Sequence, residues 1–473
     1  MPRSRIVETA PPPSLTRFAT APLSVALRAE RLLQASLSAQ VDVVGTGTGN
    51  AAFRYVGPTA AGNGSGSTWA NRAQWSTLTF QRGLTYYLMA GNYTARTYNT
   101  SGTAPITIRK ATAEDHGEDA SGGWTNSMAT GVCAFTGTHE FASSFWTFDG
   151  VTGGGPGAWT SGHGFECTQT SPSAPVFRMS GGNNIFVRHV KLIGMNSAGT
   201  SGGSAGNDGF AVVNFSTGQG SSFTASHCWF FGIGRCPVWA PSTGAIGHTI
   251  EHSYVDRFNF GSSVHGEVAS TYGSTGTSCV VTWRWNIITD VQSTGGLQWS
   301  ATGSNKTAEF RVYGNVFYRP ASRTWAPAAN GCIGGWTGNP NGDRETWHNT
   351  KVYNNTFYNC TGSYVQPDVE MVIEVPSGND WRNNAFFNSA TQNWQHVNLH
   401  NYNHFIASGG TWGEANGTSA TGGDPFVSAS GLDFTPASNV IPPGIALAAP
   451  YNVDMFGNVR DPANWTRGAV QKV

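Results

Sequence analysis

From Phe53 onward the chain reads as short β-like runs separated by Gly, Asn and Ser, with no stretch that sustains the apolar spacing of a long helix. Tyr55-Val56, Tyr86-Tyr87-Leu88, Ile106-Thr107-Ile108 and Phe145 to Phe148 are such runs, each bounded by turn residues. Residues 1–50 differ. Pro11, Pro12 and Pro13 make a stiff extended arm, and Leu23, Leu27, Leu32, Leu33 and Leu37 fit one short amphipathic helix. This N-terminal arm reads either as a loosely ordered terminus or as a segment that docks on a partner or a sister subunit.

A repeat organises the middle of the chain. A polar residue, usually Asn, stands two positions before a bulky apolar one in His227-Cys228-Trp229, His252-Ser253-Tyr254, Asn286-Ile287-Ile288, Asn315-Val316-Phe317, Asn355-Thr356-Phe357, Asn384-Ala385-Phe386 and Asn403-His404-Phe405. Copies return at irregular intervals of about 20 to 40 residues, which fits a solenoid of coils with inserted loops and not the steadier repeat of a propeller. A short strand precedes the later copies, at Val281 to Trp285, Phe310 to Tyr313, Lys351 to Tyr353 and Trp381-Arg382. Asn tolerates left-handed backbone at a tight corner, its amides bond each other from coil to coil, and the apolar residue two later points inward. The pattern predicts an all-β chain: a parallel β-helix with inserted loops over residues 51–410, then a C-terminal capping segment over 411–473.

Composition narrows the functions. Only 11% of residues are charged, Lys+Arg and Asp+Glu number 27 each, and Gly reaches 61. So little charge excludes a coiled coil or a polar disordered tail, and the zero balance lacks the basic surplus that nucleic-acid binding needs. Cys133, Cys167, Cys228, Cys236, Cys279, Cys332 and Cys360 show neither CxxC nor Cys/His zinc spacing, so they read as small apolar residues and not as a disulfide framework or structural metal site. No cofactor is called for, although neighbouring carboxylates would also suit a divalent cation such as calcium. The apolar stretch from Ala21 to Leu33 is broken by Arg28, Glu30 and Arg31, so no secretory signal and no membrane insertion are expected. A virion or the extracellular space is the expected location, reached without a cleaved signal peptide.

Several stretches resemble a known family. They are Tyr55-Val56-Gly57-Pro58-Thr59 with Gly62 to Trp69, Ile106-Thr107-Ile108-Arg109-Lys110-Ala111 with Asp115-His116-Gly117, and Trp146-Thr147-Phe148-Asp149-Gly150. Near the far end, Asp454-Met455-Phe456-Gly457-Asn458-Val459-Arg460 is followed by Gly468-Ala469. On these residues the chain resembles the bacterial and phage right-handed parallel β-helix proteins, a group that includes pectate-lyase-like enzymes and virus tailspikes. The resemblance covers residues 53 to 470 and departs from the family at Gln471, where an acidic residue is usual. It implies the fold. No catalytic Lys or Arg motif carries over with it, and one fold hosts many activities.

Counting from the corner Asn, strand alternation sends Trp283, Val312, Val352 and Trp381 inward. Two outward rows remain: Thr282, Arg311 and Lys351 in one, and Arg284, Tyr313, Tyr353 and Arg382 in the other. A forked guanidinium matches a carboxylate and an aromatic ring matches a pyranose face, so these rows are candidates for binding an acidic sugar polymer. An ordinary solvated ladder is the alternative.

Four positions after the corner, the row Phe231, Asp256, Asp290, Arg319, Asn359 and Asn388 sets Asp256 and Asp290 side by side, roughly 5 Å apart, as in a retaining glycosidase or a cation site. An Asp290–Arg319 ladder pair is equally compatible. The loop Val264-His265-Gly266-Glu267-Val268 offers His265 and Glu267 as acid and base, or else a structural turn. Trp325 and Trp336, near Trp347, read as the wall of a sugar groove, a core cap or a subunit contact.

Three functions follow. The preferred one is a polysaccharide-binding and depolymerising tailspike or tail fibre, a homotrimer attached to a virion through its arm, recognising an acidic cell-surface glycan and packing through Phe230, Tyr318, Tyr358 and Phe387. The second is a monomeric secreted polysaccharide lyase or glycoside hydrolase. The third is a β-helix with a structural role and no activity, because no P-loop, nucleophile elbow or HExxH stands in a suitable context.

Overall fold

The computed structural model describes residues 51–118, 122–171, 174–194, 213–215, 221–233, 237–240, 246–258, 267–273, 280–289, 295–302, 309–320, 332–335, 345–346, 349–360, 378–389, 397–408, 413–437 and 441–472. All belong to the second of two units in the chain, Gly47–Val473. The expected arm over 1–50 therefore lies outside the described residues.

Short strands with one apolar face cannot bury that face alone, so they stack. Among the described residues they form three sheets of 13, 12 and 9 strands, parallel throughout except for Glu345–Thr346 against Gly295–Thr302. The middle coils give one strand to each sheet in turn: Ile246–Glu251 to the first, Tyr254–Phe258 to the second and Glu267–Gly273 to the third. This is the expected right-handed parallel β-helix.

The expected inward residues Trp283, Val312, Val352 and Trp381 are all fully buried. Beside them Phe317, Phe357, Phe386 and Phe405 stack coil on coil, with ring centroids 4.9, 4.6 and 4.9 Å apart and planes within 9° of parallel. The described cysteines Cys133, Cys167, Cys228, Cys332 and Cys360 are free and buried.

Between the first two sheets the chain turns in two residues. The first is left-handed, as at His227 (φ 56°), His252 (φ 44°), Trp285 (φ 59°), Asn354 (φ 55°) and Asn383 (φ 57°). The second builds the ladder. The Asn315 Oδ1 accepts from the Asn286 backbone N–H at 3.0 Å and from its Nδ2 at 2.9 Å, and Asn355, Asn384 and Asn403 repeat the arrangement. Every buried amide is thereby paired, as a low-dielectric interior demands.

The earlier coils correct the sequence alignment by one residue. The Ser253 backbone N–H donates to Asn286 Oδ1 and the Cys228 N–H donates to Ser253 Oγ, so Cys228 and Ser253 are the ladder residues. His227 and His252 occupy the left-handed position before them. In strand pairing, one residue of slip exchanges the two faces. Phe230 consequently points into the core and is fully buried, in line with Ile288 and Phe317, and does not belong to an outward aromatic row.

The C-terminal residues fold back on the stack. Phe426–Ser428 and Asp433–Pro436 pair as an antiparallel hairpin whose Phe426 and Phe434 rings cover Tyr358, with Phe434 also against Tyr318. The aromatic row expected to face sister subunits is thus packed, at Tyr318 and Tyr358, against its own chain. Residues 441–472 then run over the left-handed corner: Trp285 Nε1 donates to the Val453 carbonyl, Asn354 Nδ2 to the Tyr451 carbonyl, and Trp465 Nε1 to Asn354 Oδ1. Asp454 and Arg460 hold this segment together. Asp454 accepts from the backbone of Phe456, Asn458 and Gln471, while the buried Arg460 donates to the carbonyls of Thr466, Gly468 and Ala469. Gln471 completes the knot through its amide, accepting from the Thr466 N–H and donating to the Asn464 carbonyl.

Candidate functional site

The two outward rows lie where alternation places them and extend further than expected. Strand register aligns Thr85, Thr107, Thr147, Phe186, Thr224, Thr249, Thr282, Arg311 and Lys351 in one line along the first sheet. Two residues nearer the corner runs the second: Tyr87, Arg109, Asp149, Arg188, Ser226, Glu251, Arg284, Tyr313, Tyr353 and Arg382. The result is a straight, hydrogen-bonding face with one rung per coil.

This face is not the basic stripe expected from the later coils. Arg284 binds Glu251 through Nε at 2.7 Å and Nη2 at 2.6 Å, and its Nη1 donates to the Tyr313 hydroxyl at 3.1 Å. Arg311 grips Glu309 with two parallel bonds of 3.0 and 2.9 Å, and Arg382 donates to Asp380 at 2.8 Å. Towards the other end, Arg109 and Arg188 both reach Asp149, at 3.2 and 2.9 Å, and Arg109 also binds Asp115 at 2.6 Å. The Lys351 Nζ donates to the Gly378 carbonyl at 2.6 Å. The reason is register: a carboxylate on a neighbouring coil or two residues away on the same strand lies within reach of each guanidinium.

Tyr313 and Tyr353 do not present ring faces. Both are buried beneath Tyr451, whose ring meets them edge-on at 4.9 and 4.7 Å. Burial, then the charge and hydrogen bond of Asp380, push the Tyr353 phenol up from its ordinary value, so it stays a donor to that carboxylate, at 2.7 Å.

Beside the second row stands a column of rings that the sequence reading missed. His189, His227, His252 and Trp285 stack along the corner with centroids 4.9, 5.0 and 4.9 Å apart. The glycine-rich turn around Gly153 to Gly157 covers one end, with the Gly153 carbonyl 2.7 Å from His189 Nδ1. The Ser226 hydroxyl lies 2.8 Å from His227 Nδ1. Burial, then the neighbouring His252 and His189, hold His227 down at about 3, and burial followed by His189 holds His163 at about 4. At neutral pH these imidazoles are uncharged. The signal was present in the sequence, since His189, His227 and His252 each stand immediately before a strand of the second sheet or its ladder residue.

Of the proposed catalytic pair, Asp256 is described and stands opposite Thr289. Strand pairing sets Tyr254 against Ile287 and Val255 against Ile288, which brings Asp256 to Thr289, whose hydroxyl donates to Asp256 Oδ1 at 3.1 Å. The expected alignment of Asp256 with Asp290 assumed His252 to be the counterpart of Asn286, which is Ser253. Asp256 is also buried. His265, Asp290, Trp325 and Trp336 lie outside the described residues. Glu267 opens the strand Glu267–Gly273, with its backbone paired to Gly295. Among the described residues, no group of three or more His, Cys, Asp or Glu is arranged to hold a metal ion, and no helix is long and apolar enough to cross a membrane.

No family model and no curated protein matches this sequence. Solved structures of similar shape include the pectate lyase Pel9A, at 12% identity and a TM-score of 0.43, over 89% of this chain and 96% of that one. A mutant of the PL6-family alginate lyase AlyGC aligns at 13% identity and a TM-score of 0.33, over 76% of this chain and 53% of that one. The likeness is one of fold.

Proposed function

We propose that this protein binds an extended cell-surface polysaccharide along the outward face of its first sheet, as a tailspike or tail fibre does. One observation carries the reading: two parallel lines of hydroxyl, carboxylate and guanidinium groups run straight along the coil stack, with Phe186, Arg188, Arg284 and Arg311 partly or well exposed. Rungs recur at about 4.8 Å, so a linear polymer lying along the stack meets polar groups at the coil spacing, short of the buried Tyr313 and Tyr353 under Tyr451. Planar, hydrogen-bonding side chains suit sugar hydroxyls in pairs. In this reading residues 1–50 join a homotrimer to a virion, which their Pro-rich and Leu-rich composition supports.

The test is a glycan array probed with the full chain, followed by product analysis on every bound polymer and a mass measurement in solution. Binding to an extended polysaccharide that is lost in Thr249→Trp, a variant that blocks the face, is the expected result. Binding that survives this variant moves the site elsewhere, and a monomer overturns the trimer. Unchanged polymer after long incubation leaves a binding protein without turnover.

A further inference from the structure

We infer that the glycan taken by this face is uncharged. The inference rests on the reading that the face binds polysaccharide, and adds the chemical class.

Every arginine on the second row and on the adjoining Arg311 position already has a carboxylate of the same chain. Arg284 spends Nε and Nη2 on Glu251, and Arg311 spends Nε and Nη2 on Glu309. These are the edges of the guanidinium that would otherwise fork onto a sugar carboxylate. A uronate that accepts only from a remaining N–H stays beside a carboxylate already in place, and to take the fork itself either arginine has to leave its partner. That partner then stands as an unpaired carboxylate beside the incoming one, and like charges at such range oppose binding.

The field gives the same answer. Asp149 sits between Arg109 and Arg188, and Glu251 sits in register with Arg284, so signs alternate over one or two rungs. Such spacing, about 5 to 10 Å, lies within or near a Debye length at physiological salt, and the potential above the face cancels. An acidic polymer is therefore neither steered nor gripped. A neutral hydroxyl, by contrast, donates to a carboxylate lone pair and accepts from a remaining guanidinium N–H without breaking either ion pair. Thr224, Thr249 and Thr282 on the adjacent line offer the same two-way bonding.

Affinity electrophoresis of the full chain against a uronan, its carboxyl-reduced counterpart and a panel of neutral polysaccharides tests this, each at low and high salt. Binding confined to neutral polymers, changing less than about twofold between 50 and 500 mM salt, is the expected pattern. Preference for the uronan over its reduced form, with loss in salt, overturns the inference and leaves polysaccharide binding standing. No binding to any polymer overturns both. Glu309→Gln, at a carboxylate that is partly exposed, gives an independent reading. It frees the Arg311 fork and is expected to raise uronan affinity by about tenfold with a new salt dependence. An unchanged uronan affinity in a variant whose melting curve matches the parent shows that the ion pairs are not what excludes acid.

Discussion

Glu414 closes the asparagine ladder by binding Asn403 twice, its Oε2 accepting the backbone N–H at 3.0 Å and its Oε1 accepting Nδ2 at 2.9 Å. Asn286, Asn315, Asn355 and Asn384 each hand the same two donors to the next amide, and the last coil has a carboxylate in that role. Glu414→Ala leaves both donors unpaired in a buried site, at a cost of about 1–3 kcal/mol for each. Glu414→Gln keeps one acceptor oxygen and is expected to lose about half as much. Denaturant melts of the two variants beside the parent check the order.

Stability is expected to fall steeply in mild acid. Burial is the largest cause in each case and holds His139, His227 and His248 at about 3 and His163 at about 4, below the ordinary 6.5. The unfolded chain takes up these protons from about pH 6.5 downward, while the folded chain refuses them until pH 3 to 4. The stability they contribute is therefore full above pH 6.5 and drains across that window, at up to about 1.4 kcal/mol per pH unit for each group. Thermal melts from pH 7 to pH 4 measure the slope.

His248 isolates one share of that slope. Among the described residues both ring nitrogens lack a hydrogen-bond partner, and the ring lies in the core against Phe215 and Trp283. His248→Phe replaces a buried polar ring with an apolar one of similar shape. It is expected to be neutral or stabilising at pH 7 and to flatten the acid slope by one group's worth. An unchanged slope would place the acid sensitivity in the other histidines.

The glycine-rich turn and the histidine column are expected to be coupled energetically. Gly155 has φ 74°, and a Cβ there would run into the His227 ring. Gly155→Ala pays for both the left-handed backbone and the clash, more than about 1 kcal/mol in total. His227→Ala removes the obstacle, so the double variant should be less destabilised than the sum of the singles by about 0.5–2 kcal/mol. Strict additivity would mean that the turn moves away from the ring instead.

In the core, Phe357 sits between Phe317 and Phe386 at 4.9 and 4.6 Å. Phe357→Ala opens a cavity in the middle of the stack and is expected to cost about 3–5 kcal/mol, while Phe357→Leu loses less. Melting of purified variants separates the two.

From Val281 onward the fold was legible because one residue type marks the corner and strict alternation follows from it: Trp283, Val312, Val352 and Trp381 are buried as alternation requires. Legibility failed where the corner changed its chemistry. Imidazole also tolerates left-handed backbone, so His227 and His252 resemble the ladder Asn one position early, and Cys228 and Ser253 gave no competing signal. The consecutive aromatics Trp229, Phe230 and Phe231 fit either phase, and that single slip displaced both Phe230 and Asp256. The basic row was placed correctly while its meaning was not. Glu251 and Glu309, which neutralise Arg284 and Arg311, stand off the two rows as counted from the later corners, and Asp380, in register with Lys351, was left out of its row.

The run of residues 441–472 across the left-handed corner makes that segment a late requirement of synthesis. Trp285 receives its acceptor from Val453, 168 residues further on, and Asn354 receives its donor from Trp465, 111 residues further on. A ribosome that has released the coils from Trp285 to Tyr402 has therefore made a stack whose corner is still bare, with Tyr313 and Tyr353 waiting for Tyr451. Coils can assemble one on another as they emerge, but this corner closes only once residues 441–472 have followed them. A chain that stops before Val453 and Trp465 would carry complete coils and an open seam.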